Sequence, residues 1–197
     1  MIDREKINKI LKIKGKIRGD VLKTDFKYIL EKQGQKSLEE LNKQFRKIDE
    51  NFDYYKIKNT EWIPLSWKII LMETSKLSFK WTDQDIFALG YSASSNSFIT
   101  RTLIRYFIST ERTFQESPKY WEKYWGIGKL EPHYIDLDKK YLVIRLKNFE
   151  IHPDLCIYMR GHFKAFAELL LRKKVKIKET KCSFKKESFH EFEIKWD

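Results

Sequence analysis

Cysteine is scarce in this 197-residue chain, with only Cys156 and Cys182, too few for the disulfide framework of a small secreted domain. That leaves one bridge, two free thiols or metal ligation. With four prolines and seven glycines, the chain shows no internal repeat and no low-complexity linker. Apolar runs approaching the roughly 18 uncharged residues of a membrane-spanning helix are missing. The start, MIDREKINKILKIKGK, has no continuous apolar segment of a secretory signal, so a cytoplasmic location is expected. Glycine-rich phosphate loops, dinucleotide fingerprints, nucleophile elbows and HExxH helices are absent too. Catalysis has little support.

What the chain has is aromatic residues and lysine. Its 14 Phe, 10 Tyr and 6 Trp suffice for a substantial core without disulfides. The net charge of +12 invites a nucleic-acid reading, since clustered Lys and Arg neutralise phosphates. Residues 1–60 carry 16 Lys and Arg against 10 Asp and Glu, so half the excess lies there, with acids interleaved. No helix-turn-helix, zinc-finger or RNA-binding signature accompanies it, and nucleic acid is an unfavoured partner. Lys6, Lys9, Lys12, Lys14 and Lys16 leave peripheral contact with an anionic membrane open.

Residues 1–60 read as a basic helical extension and residues 61–197 as the domain proper. After an N-terminal arm, Thr24 can cap a helix running to Gly34, and Ser37 with Glu40 makes a capping box for another through Ile48. Pro64 opens a helix to about Leu77 and Thr82 one to about Ser92. Ile99, Leu103, Ile104 and Phe107 keep helical spacing, and Ser117-Pro118 opens a further helix carrying Trp121 and Trp125. From Gly128 the period changes to that of a hairpin, about 130–137 and 141–149, with its turn at 138–140. His152-Pro153-Asp154 starts a long helix to about Arg172, in which interior Gly161 implies close backbone packing. Strands from Val175 to Cys182 and from Phe189 to Trp196 finish the chain. The class is α+β: a helical layer on a four-stranded antiparallel sheet, with the N-terminal two thirds rich in helix.

This layout brings four metal-ligand types together. From Cys156 the helix advances about 24 Å, and a strand from Val175 to Cys182 covers about 23 Å if it folds back. A turn centred on Lys186 sets Cys182 opposite His190. Glu179 precedes Cys182 by an odd number, so a bulge near Thr180 and Lys181 is required for both to face one ion. Two thiols, an imidazole and a carboxylate suit zinc held by four protein ligands in a structural site. The plainer alternative keeps Cys156 as a small buried hydrophobe and His190 as a hydrogen-bonded surface group on its strand. A disulfide is disfavoured in a reducing compartment.

The stretch LCIYMRGHFKAFAELLLRKKVKIKETKCSFKKESFHEFEIKW (155–196) resembles the C-terminal half of the 4-vinyl reductase domain family, whose fold is shared with core subunits of the transport protein particle tethering complex. The family's Cys, Glu, Cys, Cys ligands fall on Cys156, Glu179, Cys182 and position 190, where His190 replaces Cys. Lys186 stands where the family usually has a turn glycine. The resemblance implies structural zinc, a homodimer or related-subunit heterodimer, and an apolar cavity for a small hydrophobic ligand. Candidate walls are Trp121, Trp125, Tyr134, Tyr158, His162, Phe163 and Phe166, although for any single one a plain core role is the more common case. The implied function is a non-catalytic, ligand-binding sensory module, with a scaffold subunit for assembly or membrane tethering as the alternative.

Overall fold

Asp3 opens the first helix by accepting a hydrogen bond from the Lys6 amide, and α1 runs Arg4–Leu11. In the computed structural model, which describes residues 3–95 and 109–197, the next segment β1 (Lys16–Arg18) pairs antiparallel with β2 (Trp62–Pro64). This pairing sets where α2 (Gly19–Gln33) begins. The Gly19 and Asp20 amides bond to the carbonyls of Glu61 and Asn59 at 2.9 and 3.1 Å, so donors that no helical turn can satisfy are taken by the neighbouring strand. Thr24, expected as the cap, lies inside the helix, with its hydroxyl on the Asp20 carbonyl. Likewise α3 (Gln35–Ile48) starts at the Gly34 turn, and Ser37 bonds back to the Gln33 carbonyl.

Pro64 does precede a helix, α4 (Leu65–Phe79), which is buried on every side from Leu65 to Ser75. Leu77, expected on its apolar face, is exposed. Thr82 and Asp85 close the start of α5 (Asp83–Ser95), the Thr82 amide donating to the Asp85 carboxylate at 2.9 Å. The helical spacing of Ile99 to Phe107 falls outside the described residues. The next helix, α6 (Thr110–Tyr124), starts eight residues before Pro118 because the Ser109 hydroxyl accepts from the Arg112 amide. Proline there is internal, not the opening residue.

The hairpin β3 (Lys129–Asp136) and β4 (Tyr141–Lys147), and the pair β5 (Val175–Lys181) and β6 (Phe189–Trp196), form one antiparallel sheet in the order β3-β4-β6-β5. Between the pairs runs α7 (Pro153–Leu171), which packs on the face built by Leu142, Ile144, Leu146, Phe192 and Ile194, all at or near zero exposure. The expected class therefore holds: helices on a four-stranded antiparallel sheet. The core is continuous from Leu22, Phe26 and Phe45 to Phe163 and Phe192. Two glycines let α5 and α7 cross in backbone contact: a Cβ on Gly161 would lie 2.1 Å from the Phe87 carbonyl oxygen, and one on Gly90 2.0 Å from that of Tyr158. Among the described residues no helix is long and apolar enough to cross a membrane.

Candidate functional site

The first turn of α7 carries Cys156, and the far end of β5 carries Glu179 with Cys182 just beyond it. His190 stands on β6 and points inward, opposite Leu146 of β4. The pairing of β5 with β6 slips between Glu179 and Lys181, the irregularity that the odd spacing of Glu179 and Cys182 requires. Lys186 closes the connecting turn at φ +67°. The ligand atoms of Cys156, Glu179, Cys182 and His190 consequently lie within 4.8 Å of one another, and both cysteines and the histidine are buried.

The hydrogen bonds inside this cluster leave a gap in the proton count. His190 Nε2 lies 3.3 Å from the Phe149 carbonyl oxygen, which can only accept, so Nε2 carries a proton. In the neutral ring Nδ1 is then a lone pair, yet it faces Glu179 Oε1 at 3.0 Å and Cys156 Sγ at 3.8 Å. A lone pair facing a carboxylate needs a proton or a cation between them. Burial, with Glu179 and Cys182 alongside, pushes the Cys156 thiol well above its usual range.

A second cluster joins Glu73, His152 and Asp154. Here the carboxylates already have cationic or donor partners: Lys6 and His152 reach Glu73 at 2.6 and 3.2 Å, and Lys76 reaches Asp154 at 2.5 Å. The His152 and Lys6 contacts hold the Glu73 carboxyl down to about 2. The cluster ties α1, α4 and the start of α7 together.

Of the expected pocket residues, Trp121 and Trp125 are buried and stacked at 5.0 Å, and Trp121 approaches Phe163 at 6.5 Å. Tyr158 and His162 lie parallel at 6.3 Å, and Phe166 is half-buried. Tyr134 is not with them. It is exposed on the outer side of the sheet, beside Tyr141 at 5.9 Å, where both line an open concavity of about 660 Å³ with Arg145 and Lys195.

Sequence reasoning missed the polar centre of the core. Lys68 of α4 and Asp25 of α2 form a wholly buried pair, Lys68 Nζ donating to the Asp25 carboxylate. The Tyr158 hydroxyl donates to the same carboxylate at 3.0 Å, and the ammonium nitrogen sits 3.7 Å from the centre of the Tyr158 ring. Burial draws Asp25 up and Lys68 down, against their mutual attraction. Beside them His162 is pushed down to about 4 by burial and by Lys68, and its buried Nδ1 has no hydrogen-bond partner among the described residues. One signal was available: Lys68 interrupts an apolar run, LSWKIILM.

Comparison with known proteins locates the fold. No family model matches the chain, and no curated protein does. Solved structures do. An H-NOX protein from S. oneidensis in the Fe(II)NO ligation state superposes with a TM-score of 0.71 at 11% identity, covering 92% of this chain and 99% of the other. A triple mutant of an H-NOX protein from S. oneidensis in the Fe(II) state gives 0.72 at 11% identity, over 92% and 96%. An oxygen-binding H-NOX domain related to soluble guanylate cyclases gives 0.64 at 12% identity, over 92% and 95%.

These matches correct the expected family. The resemblance to 4-vinyl reductase domains and tethering-complex subunits rested on about forty C-terminal residues, whereas the H-NOX likeness spans both layers of the molecule. The scaffold alternative goes with it, and homodimerisation through the helical layer loses its basis. Zinc as the structural cofactor is corrected as well, because the neighbours are described by iron and heme. At 11–12% identity the likeness concerns architecture: the chain has the fold of H-NOX domains.

Proposed function

We infer that the chain is a non-catalytic sensory module that binds a small hydrophobic molecule. The observation that carries this reading is the fold itself. It is shared over 92% of the chain with domains described as binding oxygen or holding nitric oxide. Trp121, Trp125 and Phe163 form a buried aromatic cluster between α6 and α7, the kind of apolar wall such a ligand would meet. In the same region His162 Nδ1 supplies a buried polar atom whose bond no described residue satisfies.

Native mass spectrometry of the purified chain, followed by thermal unfolding with a panel of small uncharged aromatic molecules, tests it. A specific ligand at a hundred times its Kd stabilises the folded state by about 2.7 kcal/mol, which raises Tm by roughly 5–10 °C at this size. Trp125→Ala should reduce that shift. No adduct and no shift across the panel would remove the reading.

A second element rests on four ligand atoms brought within 4.8 Å of one another. We propose that Cys156, Glu179, Cys182 and His190 bind a metal ion through four protein ligands and thereby pin α7 to β5 and β6. Elemental analysis of protein purified without a metal-affinity tag reads the ion and its stoichiometry. One equivalent, lost in His190→Ala together with thermal stability, is the expected result; a metal-free protein matched in stability by the variant would return the four to ordinary core residues.

A further inference from the structure

The iron and heme of the structural neighbours pose a direct question to this chain's own atoms. A heme iron needs an axial donor with a free lone pair, from His, Cys, Met or Tyr. Residues 96–108 contain no His, Cys or Met, their one side chain of these types being Tyr106, and Met72 and Met159 are packed in the apolar core. Elsewhere, three of the four histidines are committed. His133 is on the exposed strand β3 beside Glu131, His152 caps α7 and meets Glu73, and His190 is held between Phe149 and Glu179. Cys156 and Cys182 belong to that last cluster.

Only His162 keeps a buried ring nitrogen without a partner among the described residues, and the space around it is closed on several sides. Its turn of α7 is in backbone contact with α5 on either side, at Gly161 and at Tyr158. Its ring lies nearly parallel to that of Tyr158, 12° between planes. Tyr158 is tied by its hydroxyl to Asp25, so the ring cannot swing aside without leaving that carboxylate short of a donor. Among the described residues the fully buried cation beside it, Lys68, is spent on Asp25. The described residues do not fit the group.

We propose that this chain has the H-NOX fold without a heme site, and that a protein network, Asp25–Lys68–Tyr158, makes the join between α2, α4 and α7. The three side chains come from the helical layer and from the helix that lies on the sheet. A buried carboxylate and ammonium are tolerated only while both are present, so the network fixes the relative placement of those helices with protein atoms alone. The inference narrows the sensory reading to ligands bound without iron, and it stands separately from that reading.

The test uses the full chain in two arms. In the first, protein produced with a heme precursor in the medium, and apoprotein titrated with hemin, are assayed by absorbance, before and after reduction under carbon monoxide. Expected are no saturable Soret band, no carbon monoxide shift, and identical spectra for wild type and His162→Ala. A one-to-one Soret band with a carbon monoxide shift overturns the proposal, whether or not His162→Ala abolishes it. In the second arm, urea unfolding compares wild type, Lys68→Met and the double variant Asp25→Asn/Lys68→Met. Lys68→Met should raise the unfolding constant roughly 100-fold or more, with most of that loss recovered in the double variant. Equal stability of Lys68→Met and wild type would refute the network. Heme binding with an intact ligand-panel response would sink this proposal and leave the sensory reading; no heme and no panel response would do the reverse.

Discussion

Lys68 and Asp25 show how little a single side chain's own character says about its place. A lysine at zero exposure is sustained by a carboxylate 43 residues away in the sequence, and removing either partner strands a charge in the core. Lys68→Met should therefore cost about 3–5 kcal/mol, and the double variant with Asp25→Asn much less, because Asn keeps an acceptor for the Tyr158 hydroxyl. A double-mutant cycle by urea unfolding measures the coupling. Two other residues set the acid limb of stability in separate windows. His162 has its folded value lowered from 6.5 to about 4, so the unfolded chain binds the proton first and stability falls as pH drops from about 6.5 towards 4. Glu73 is lowered from 4.5 to about 2, and its contribution, complete above 4.5, is lost as pH falls from there towards 2. His162→Gln should flatten the upper part of a denaturation curve against pH, and Glu73→Gln the lower part. If both variants follow the wild-type curve in parallel, neither titration is coupled to folding.

At the scale of elements, the crossing of α5 and α7 depends on the absence of two side chains. Alanine raises helix propensity over glycine by about 1 kcal/mol, but a methyl at Gly161 or Gly90 would meet a carbonyl oxygen at about 2 Å, and backbone cannot yield as a side chain tip does. The clash should win: Gly161→Ala and Gly90→Ala each destabilise by at least about 2 kcal/mol, seen as a lowered Tm. An unchanged Tm would mean the helices separate at little cost. The β5–β6 connection carries the opposite prediction. Lys186 adopts φ +67°, so Lys186→Gly relieves backbone strain and should stabilise by about 0.5–1 kcal/mol. Helix starts were the elements least legible in the sequence. The capping signs at Thr24, Ser37 and Pro118 are genuine local chemistry, but the pairing of β1 with β2, the Gly34 turn and the Ser109 hydroxyl each supply an earlier start.

Across the whole molecule, residues from both ends share one core. Leu22, Phe26, Ile29 and Phe45 are buried in the same cluster as Phe163 and Phe192, and β1 meets β2 across residue 60. A chain beginning at residue 61 should lose cooperative thermal unfolding, since it would expose the sides of α4 that α1 and α2 help cover; a sharp transition in that fragment would show that the first sixty residues are dispensable. What the sequence by itself determined is what depends on neighbours a few residues apart. The hairpin of β3 and β4, the span of α7, the close packing at Gly161 and the convergence of Cys156, Glu179, Cys182 and His190 follow from periods of two and 3.6 and from fixed rises per residue. Only the tertiary structure decided the rest: the likeness in fold to H-NOX domains, the Asp25–Lys68–Tyr158 centre, and the separation of Tyr134 from the other aromatic residues. Those depend on which distant segments meet and on which face of the sheet a residue falls, and a one-residue difference in strand register reverses that face without altering the local pattern.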